Sequence, residues 1–243
     1  MRIVSLVPSL TELVAHLAGS DHEIVGRTPW CMEPAHIKAV DVVGGTKTPN
    51  IGKILRLQAD IVLMDAEENP KSAWEALTRE GIEVMVSHIR SPSQVPEFAR
   101  GLCHRLGTHH PFAERCESAL EETIGSGGPR VLPLIWLDPL MGLSGDRYGG
   151  ALLRHVGFDV PILEEPYPVV TPSTIADLGV EALLLSSEPH AFTLEEGDAI
   201  AATCDPTPRT IPVDGQDLTW FGWRTPDALV RMKALRNRLE ASC

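Results

Sequence analysis

Residues 111–124 constrain this chain more than any other stretch. Phe112, Cys116, Ala119 or Leu120, and Thr123 or Ile124 recur at helical spacing and give one apolar stripe. Pro111 suits a first helical position, and Gly125 suits the left-handed residue beyond a helix end. The tract Gly125-Ser126-Gly127-Gly128-Pro129 then stops any continuation. On each side of this helix the pattern begins with a buried strand and ends with a helix. The expected architecture is α/β: two Rossmann-like lobes with mostly parallel sheets, residues 1–108 and 129–243, joined by a linking helix at 109–128. A crossover helix inside one α/β domain is the alternative.

Each lobe alternates strands with helices, which implies parallel sheets covered on both faces. In the first half, strands are expected at Ile3 to Val7, Ile24 to Gly26, Val42-Val43, Ile61 to Met64 and Val84 to Val86. Ser9 with Glu12 reads as a capping box for the first helix, which Gly19 ends. In the second half, strands are expected at Val131 to Leu137, Ala182 to Leu185 and Thr210 to Val213. A proline-rich loop carries Pro161, Pro166, Pro168 and Pro172, and the last helix runs from Pro226 to Glu240.

Parallel sheets bind ligands at the carboxyl ends of their strands, where loops converge. Four of the five tryptophans fall on such loops: Trp30, Trp136, Trp220 and Trp223. Tyr167 sits in the proline-rich loop. Aromatic content is only 5%, so its placement on loops points to a flat, partly apolar ligand. Rings that merely plug interfaces are the alternative. Lys47, Asp65, Glu67 and Glu188 follow strands as candidate polar contacts, and His88 and His190 as candidate metal ligands. No HxxxH or similar set exists.

The net charge of −12 argues against nucleic acid as a partner. The five cysteines are odd in number and lack CxxC spacing, which favours reduced thiols over a disulfide framework. With Met1 and Arg2 running straight into a strand, the expected compartment is the cytoplasm, or the periplasm or exterior if a leader has been trimmed. An enzyme reading finds no Gly-x-Ser-x-Gly elbow, phosphate loop or Gly-x-Gly-x-x-Gly. What it retains is Asp138 with Glu188 as an acid and base pair, and the loop from Gly142 to Asp146 as an anion site before a helix. No catalytic residue is assigned.

The opening Arg2-Ile3-Val4-Ser5-Leu6-Val7-Pro8-Ser9-Leu10-Thr11-Glu12-Leu13 resembles that of the vitamin B12 and iron-chelate binding proteins of ABC importers, the helical-backbone metal receptors. The likeness continues through Val43 to Lys47, Ala59 to Leu63, Gly81 to Val84, Pro166-Tyr167-Pro168 and Trp220 to Trp223. It implies a class III periplasmic-binding-protein-like fold. It also implies a corrinoid, haem or siderophore-like chelate held between the lobes, with no intrinsic cofactor. Trp30 and Tyr167 stand where B12-binding members carry aromatics. A third ring of that cage would fall near Thr46 or Lys47, where this chain has none. Trp136 could supply the missing surface, or the ligand is smaller and more anionic and pairs with Lys47. Members that dock on a permease carry a glutamate on each lobe, and the aligned positions here are Gly52 and Ser173. Loss of both charges implies a binding protein without permease docking. A cytoplasmic enzyme or sensor for a small anionic metabolite is the alternative.

Overall fold

The computed structural model describes residues 1–122 and 127–241. They divide into two compact units, Met1–Ile89 with Val95–Glu114, and Arg90–Gln94 with Arg115–Cys243. Each holds a four-stranded sheet.

In the first unit, β1 (Arg2–Ser5), β2 (Glu23–Arg27), β3 (Ile61–Asp65) and β4 (Glu83–Ser87) are ordered β2-β1-β3-β4, and every pairing is parallel. Central β3 is buried on both faces, as its run Ile-Val-Leu-Met requires. Val4, Val25, Val62 and Met64 pack against Ile54 of α2 (Ile51–Arg56) and Leu77 of α3 (Lys71–Arg79). Each fully buried side chain of this kind contributes about 1.5–3 kcal/mol. The helix α1 (Pro8–Leu17) starts without a side-chain cap. Pro8, pre-set for the first turn, begins the helix early, so Ser9 and Glu12 lie buried within it and form no capping box. Gly19 ends it at φ +67°. Val42-Val43 is no strand, since Val42 makes only an isolated bridge to Arg27. The helix α4 (Val95–Leu106) completes the unit's covering, with Arg105 paired to Glu83 at the first residue of β4.

The central helix is α5 (Phe112–Glu121), with Phe112 and Cys116 buried on its apolar stripe. Its first three residues group with the first unit and the remainder with the second. The predicted end at Ile124 and Gly125 lies outside the described residues.

In the second unit, β5 (Val131–Trp136), β6 (Met141–Gly142), β7 (Ala182–Ser186) and β8 (Arg209–Val213) are ordered β6-β5-β7-β8. All pairings are parallel except β6 on β5. The short antiparallel β6 went unpredicted because two residues carry no periodicity. Leu132, Leu134, Leu183 and Leu185 form the core with Ile175 of α7 (Pro172–Asp177) and Ala201 of α8 (Leu194–Ala201). The helix α6 (Tyr148–His155) packs by glycine. An added Cβ at Gly149 would lie 2.4 Å from the Leu218 carbonyl oxygen, and one at Gly150 2.3 Å from that of Ser144. Beyond β8 come α9 (Gly215–Thr219), capped by Asp214, and α10 (Thr225–Glu240).

Candidate functional site

Three strands of the second sheet and all four of the first run parallel, so each sheet gathers its carboxyl-end loops along one edge. Two exposed rings sit there, Trp30 at 66% and Trp136 at 42%, while Tyr167, 38% exposed, lies beside β6 and level with the middle of β5.

In the first unit, Asp65 closes β3. It is buried, and its carboxylate accepts hydrogen bonds from Ser87 Oγ at 2.6 Å and from the amides of Glu67 and Glu68 at 2.9 and 3.2 Å. Burial, the largest influence, pushes its pKa up, while those hydrogen bonds oppose the rise. Asp65 therefore shapes the loop from within. Asn69, which sequence reasoning passed over, is the fastening of this edge. Its Oδ1 accepts from the Asp65 amide at 2.8 Å, and its Nδ2 donates to the Thr46 carbonyl at 2.8 Å. Lys47 is largely exposed and spans to the same loop, donating to the Glu67 carbonyl at 2.7 Å with Glu68 at 3.6 Å. His88 lies 3.6 Å from Glu67. Trp30 follows β2 on a loop whose carbonyls are gathered by buried Arg27, which donates to Thr28, Lys38 and Val40.

In the second unit, Trp136 closes β5, and its indole N–H donates to the Asp138 carbonyl at 2.9 Å. The ring meets His190 edge-on at 6.3 Å, and His190 in turn meets Phe192 at 4.6 Å. His190 Nε2 lies 3.4 Å from Glu196. Glu188 accepts from Thr219 Oγ1 at 2.8 Å. Tyr167 is flanked by prolines whose carbonyls accept main-chain hydrogen bonds, Pro166 from Ser144 at 3.1 Å and Pro168 from Gly142 at 3.0 Å. Trp220 and Trp223 are half-buried, with Arg224 5.0 Å from the first ring and Arg115 6.0 Å from the second.

The anion site expected over Gly142 to Asp146 is absent. Ser144 and Gly145 are buried, a Cβ at Gly145 would lie 2.5 Å from the Val160 carbonyl, and Ser144 Oγ accepts from the Leu163 amide at 2.9 Å. Those glycines allow close main-chain packing and leave no room for a phosphate. Among the described residues no group of three histidine, cysteine, aspartate or glutamate side chains is placed to hold a metal ion. A recess of about 300 Å³ opens between the end of α4 and the start of α5, lined by Cys103, His104, His109 and His110 among others. Since Arg105 of α4 pairs with the first residue of β4, this recess lies toward the amino edge of the first sheet, away from the carboxyl-end loop that carries Trp30.

Two α/β units, each built on a mainly parallel four-stranded sheet, are the architecture of the class III periplasmic-binding-protein-like receptors, and the chain has that fold. No protein-family model matches. The vitamin B12-binding protein of Pectobacterium carotovorum subsp. carotovorum is 23% identical over 255 residues, covering 99% of this chain and 88% of that protein. The solved periplasmic vitamin B12 binding protein BtuF of Vibrio cholerae superposes with TM-score 0.78 at 17% identity, covering 98% of this chain and 97% of that one. The periplasmic haem-binding protein HutB of the same organism gives 0.78 at 18%, covering 97% and 98%. The chain thus resembles substrate-binding proteins for vitamin B12 and haem.

Both of those solved proteins are periplasmic, which overturns the expectation of a cytoplasmic location. The argument from thiols fails on physical grounds as well. Cys31 and Cys116 are fully buried, and burial pushes the Cys116 pKa up to about 12, so these two unpaired thiols are shielded in any compartment.

Proposed function

We propose that this chain binds a flat metal chelate of the corrinoid or haem class, without chemistry on it, through its exposed rings. The observation that carries this reading is the exposure of Trp30, Trp136 and Tyr167 on loops that are themselves firmly held. Rings held in place offer stacking area at little entropic cost. Lys47, with Glu67 beside it, and Glu188 supply polar contacts. Trp220 and Trp223, each beside a guanidinium, extend the aromatic surface of the second unit. His88 and His190 are the candidates to reach the metal. His190 is held by Glu196 and His88 lies near Glu67, and the chelate brings the rest of its own ligand field.

Titration with cyanocobalamin, cobinamide and haemin should quench tryptophan fluorescence saturably for at least one of them. Changing both Trp136 and Tyr167 to Ala should weaken that binding by roughly 10- to 100-fold. Unchanged affinity in the double variant would remove the site.

The reading extends to transport. Gly52 and Ser173 are both exposed, and each is the second residue of a short helix capped by its neighbour's side chain, Asn50 for α2 and Thr171 for α7. Neither carries charge, so we expect no specific complex with a B12-type importer in a pull-down. Gly52→Glu with Ser173→Glu should create measurable binding, and tight binding by the unaltered protein would refute the inference.

A further inference from the structure

The exposed indole of Trp30 is followed by a side chain with no solvent contact at all. Cys31 is 0% exposed, and its Sγ lies 3.0 Å from Thr11 Oγ1 and 3.1 Å from Thr28 Oγ1. Thr11 Oγ1 is also 2.8 Å from Ser5 Oγ and 2.9 Å from the Val7 carbonyl, and Ser5, Thr11 and Thr28 are themselves 0% exposed. Two hydroxyls, from α1 and from the residue after β2, thus converge on one thiol, and a third, Ser5 of β1, backs the first of them. Polar groups in a dry interior hold geometry more tightly than apolar packing alone, because every alternative placement leaves a donor or acceptor unmet. The main chain adds a single clasp, the Cys31 amide donating to the Thr28 carbonyl at 3.2 Å.

We propose that Cys31 is a positioning residue for Trp30: its thiol, clasped by Thr11 and Thr28, pins the loop that presents the indole to the ligand. The proposal rests on Trp30 being a ligand contact. The thiol performs no chemistry. It is a small, polarizable group that fills a hydroxyl-lined socket and joins its hydrogen bonding, a combination valine lacks and alanine leaves as a hole. A ligand stacked on Trp30 holds the same loop down, so occupancy and burial of the thiol are coupled.

Two measurements separate this from a purely structural role. In a variant retaining only Trp30 of the five tryptophans, Cys31→Val should lower the steady-state anisotropy of that indole while the fold persists, and Cys31→Ser should restore it. In the otherwise unaltered protein, Cys31→Val should weaken binding of whichever of cyanocobalamin, cobinamide or haemin is bound by about tenfold, the scale of lost preorganisation. Should Cys31→Val fail to fold, Thr28→Val removes one arm of the clasp and serves in its place. Alkylation of Cys31, followed by mass spectrometry of its peptide, should slow when that ligand is added. Unchanged anisotropy and affinity in folded Cys31→Val or Thr28→Val would overturn the proposal alone, provided that Trp30→Ala weakens binding. If Trp30→Ala leaves affinity unchanged, Trp30 is no ligand contact, and both the assignment of Trp30 and the proposal fall.

Discussion

The two sheet edges hold their loops by different means. In the first unit side chains do much of the fastening, beside main-chain bonds such as the Cys31 amide to the Thr28 carbonyl: Asn69 ties the loop after β3 to Thr46, Arg27 gathers the loop after β2, and Cys31 sits among hydroxyls. In the second unit main-chain hydrogen bonds take the larger share, beside side-chain ones such as the Trp136 indole N–H to the Asp138 carbonyl and the Leu163 amide to Ser144 Oγ. The amides of Gly142, Ser144 and Val170 reach Pro168, Pro166 and Leu140, and those of His190 and Phe192 reach Ile135 and Ser186. The ring content differs in parallel. The first edge carries Trp30 with Lys47, Glu67, Glu68 and His88 on its loops, whereas the second unit presents Trp136, Tyr167 and Trp220. Main-chain fastening tolerates almost any side chain, which frees the second unit to spend its loop positions on rings. It demands instead that certain positions carry no side chain.

That contrast can be broken most sharply at Gly150. A methyl there meets the Ser144 carbonyl oxygen at 2.3 Å and the Gly145 Cα at 2.7 Å, main chain with no flexible side chain to yield. Gly150→Ala should cost about 3 kcal/mol or more. Hydrogen exchange should speed up across the second unit and not the first, and equal acceleration in both would show that the units do not hold their loops independently.

Asn69→Ala tests the other half. It strands the buried Asp65 amide and the Thr46 carbonyl together, and should cost about 1–3 kcal/mol with exchange rising in the loops that carry Lys47 and Glu67. A neutral result would mean that main chain suffices there too.

The smallest effect is one of pH. The Asp65 pKa is raised chiefly by burial, so its favourable contribution is fully present below the unfolded value, near 3.9, and is lost as pH rises through the raised folded value. The stability advantage of the wild type over Asp65→Asn should therefore shrink as pH rises above about 4 in denaturant titrations. An advantage that grows with pH would mean that the hydrogen bonds from Ser87, Glu67 and Glu68 outweigh burial.

The same contrast decides what could be read from the chain beforehand. Strands such as β3 and β7 announce themselves, because a short run of β-branched and leucine residues bounded by turns has few other folds. The rings were legible for a related reason: tryptophan between strand and helix has no core position to occupy. Asn69 and Cys31 were not legible. Asn69 lies in a stretch, Asp65 to Pro70, that reads as a helix start, and its worth depends on Thr46, 23 residues away. Cys31 looks like any unpaired thiol until Thr11 and Thr28 are brought to it. The loop from Gly142 to Asp146 misled in the opposite direction, since a motif that resembles an anion cradle is filled at Gly145 by the carbonyls of Val160 and Pro161.

Pro166-Tyr167-Pro168 has a thermodynamic corollary. A residue between two prolines has few backbone states to surrender even in the unfolded chain. Ligand capture at Tyr167 should thus proceed with little ordering penalty. Calorimetry should register association there mainly as a negative heat-capacity change from desolvated ring surface, with the Tyr167→Ala variant losing part of that signal.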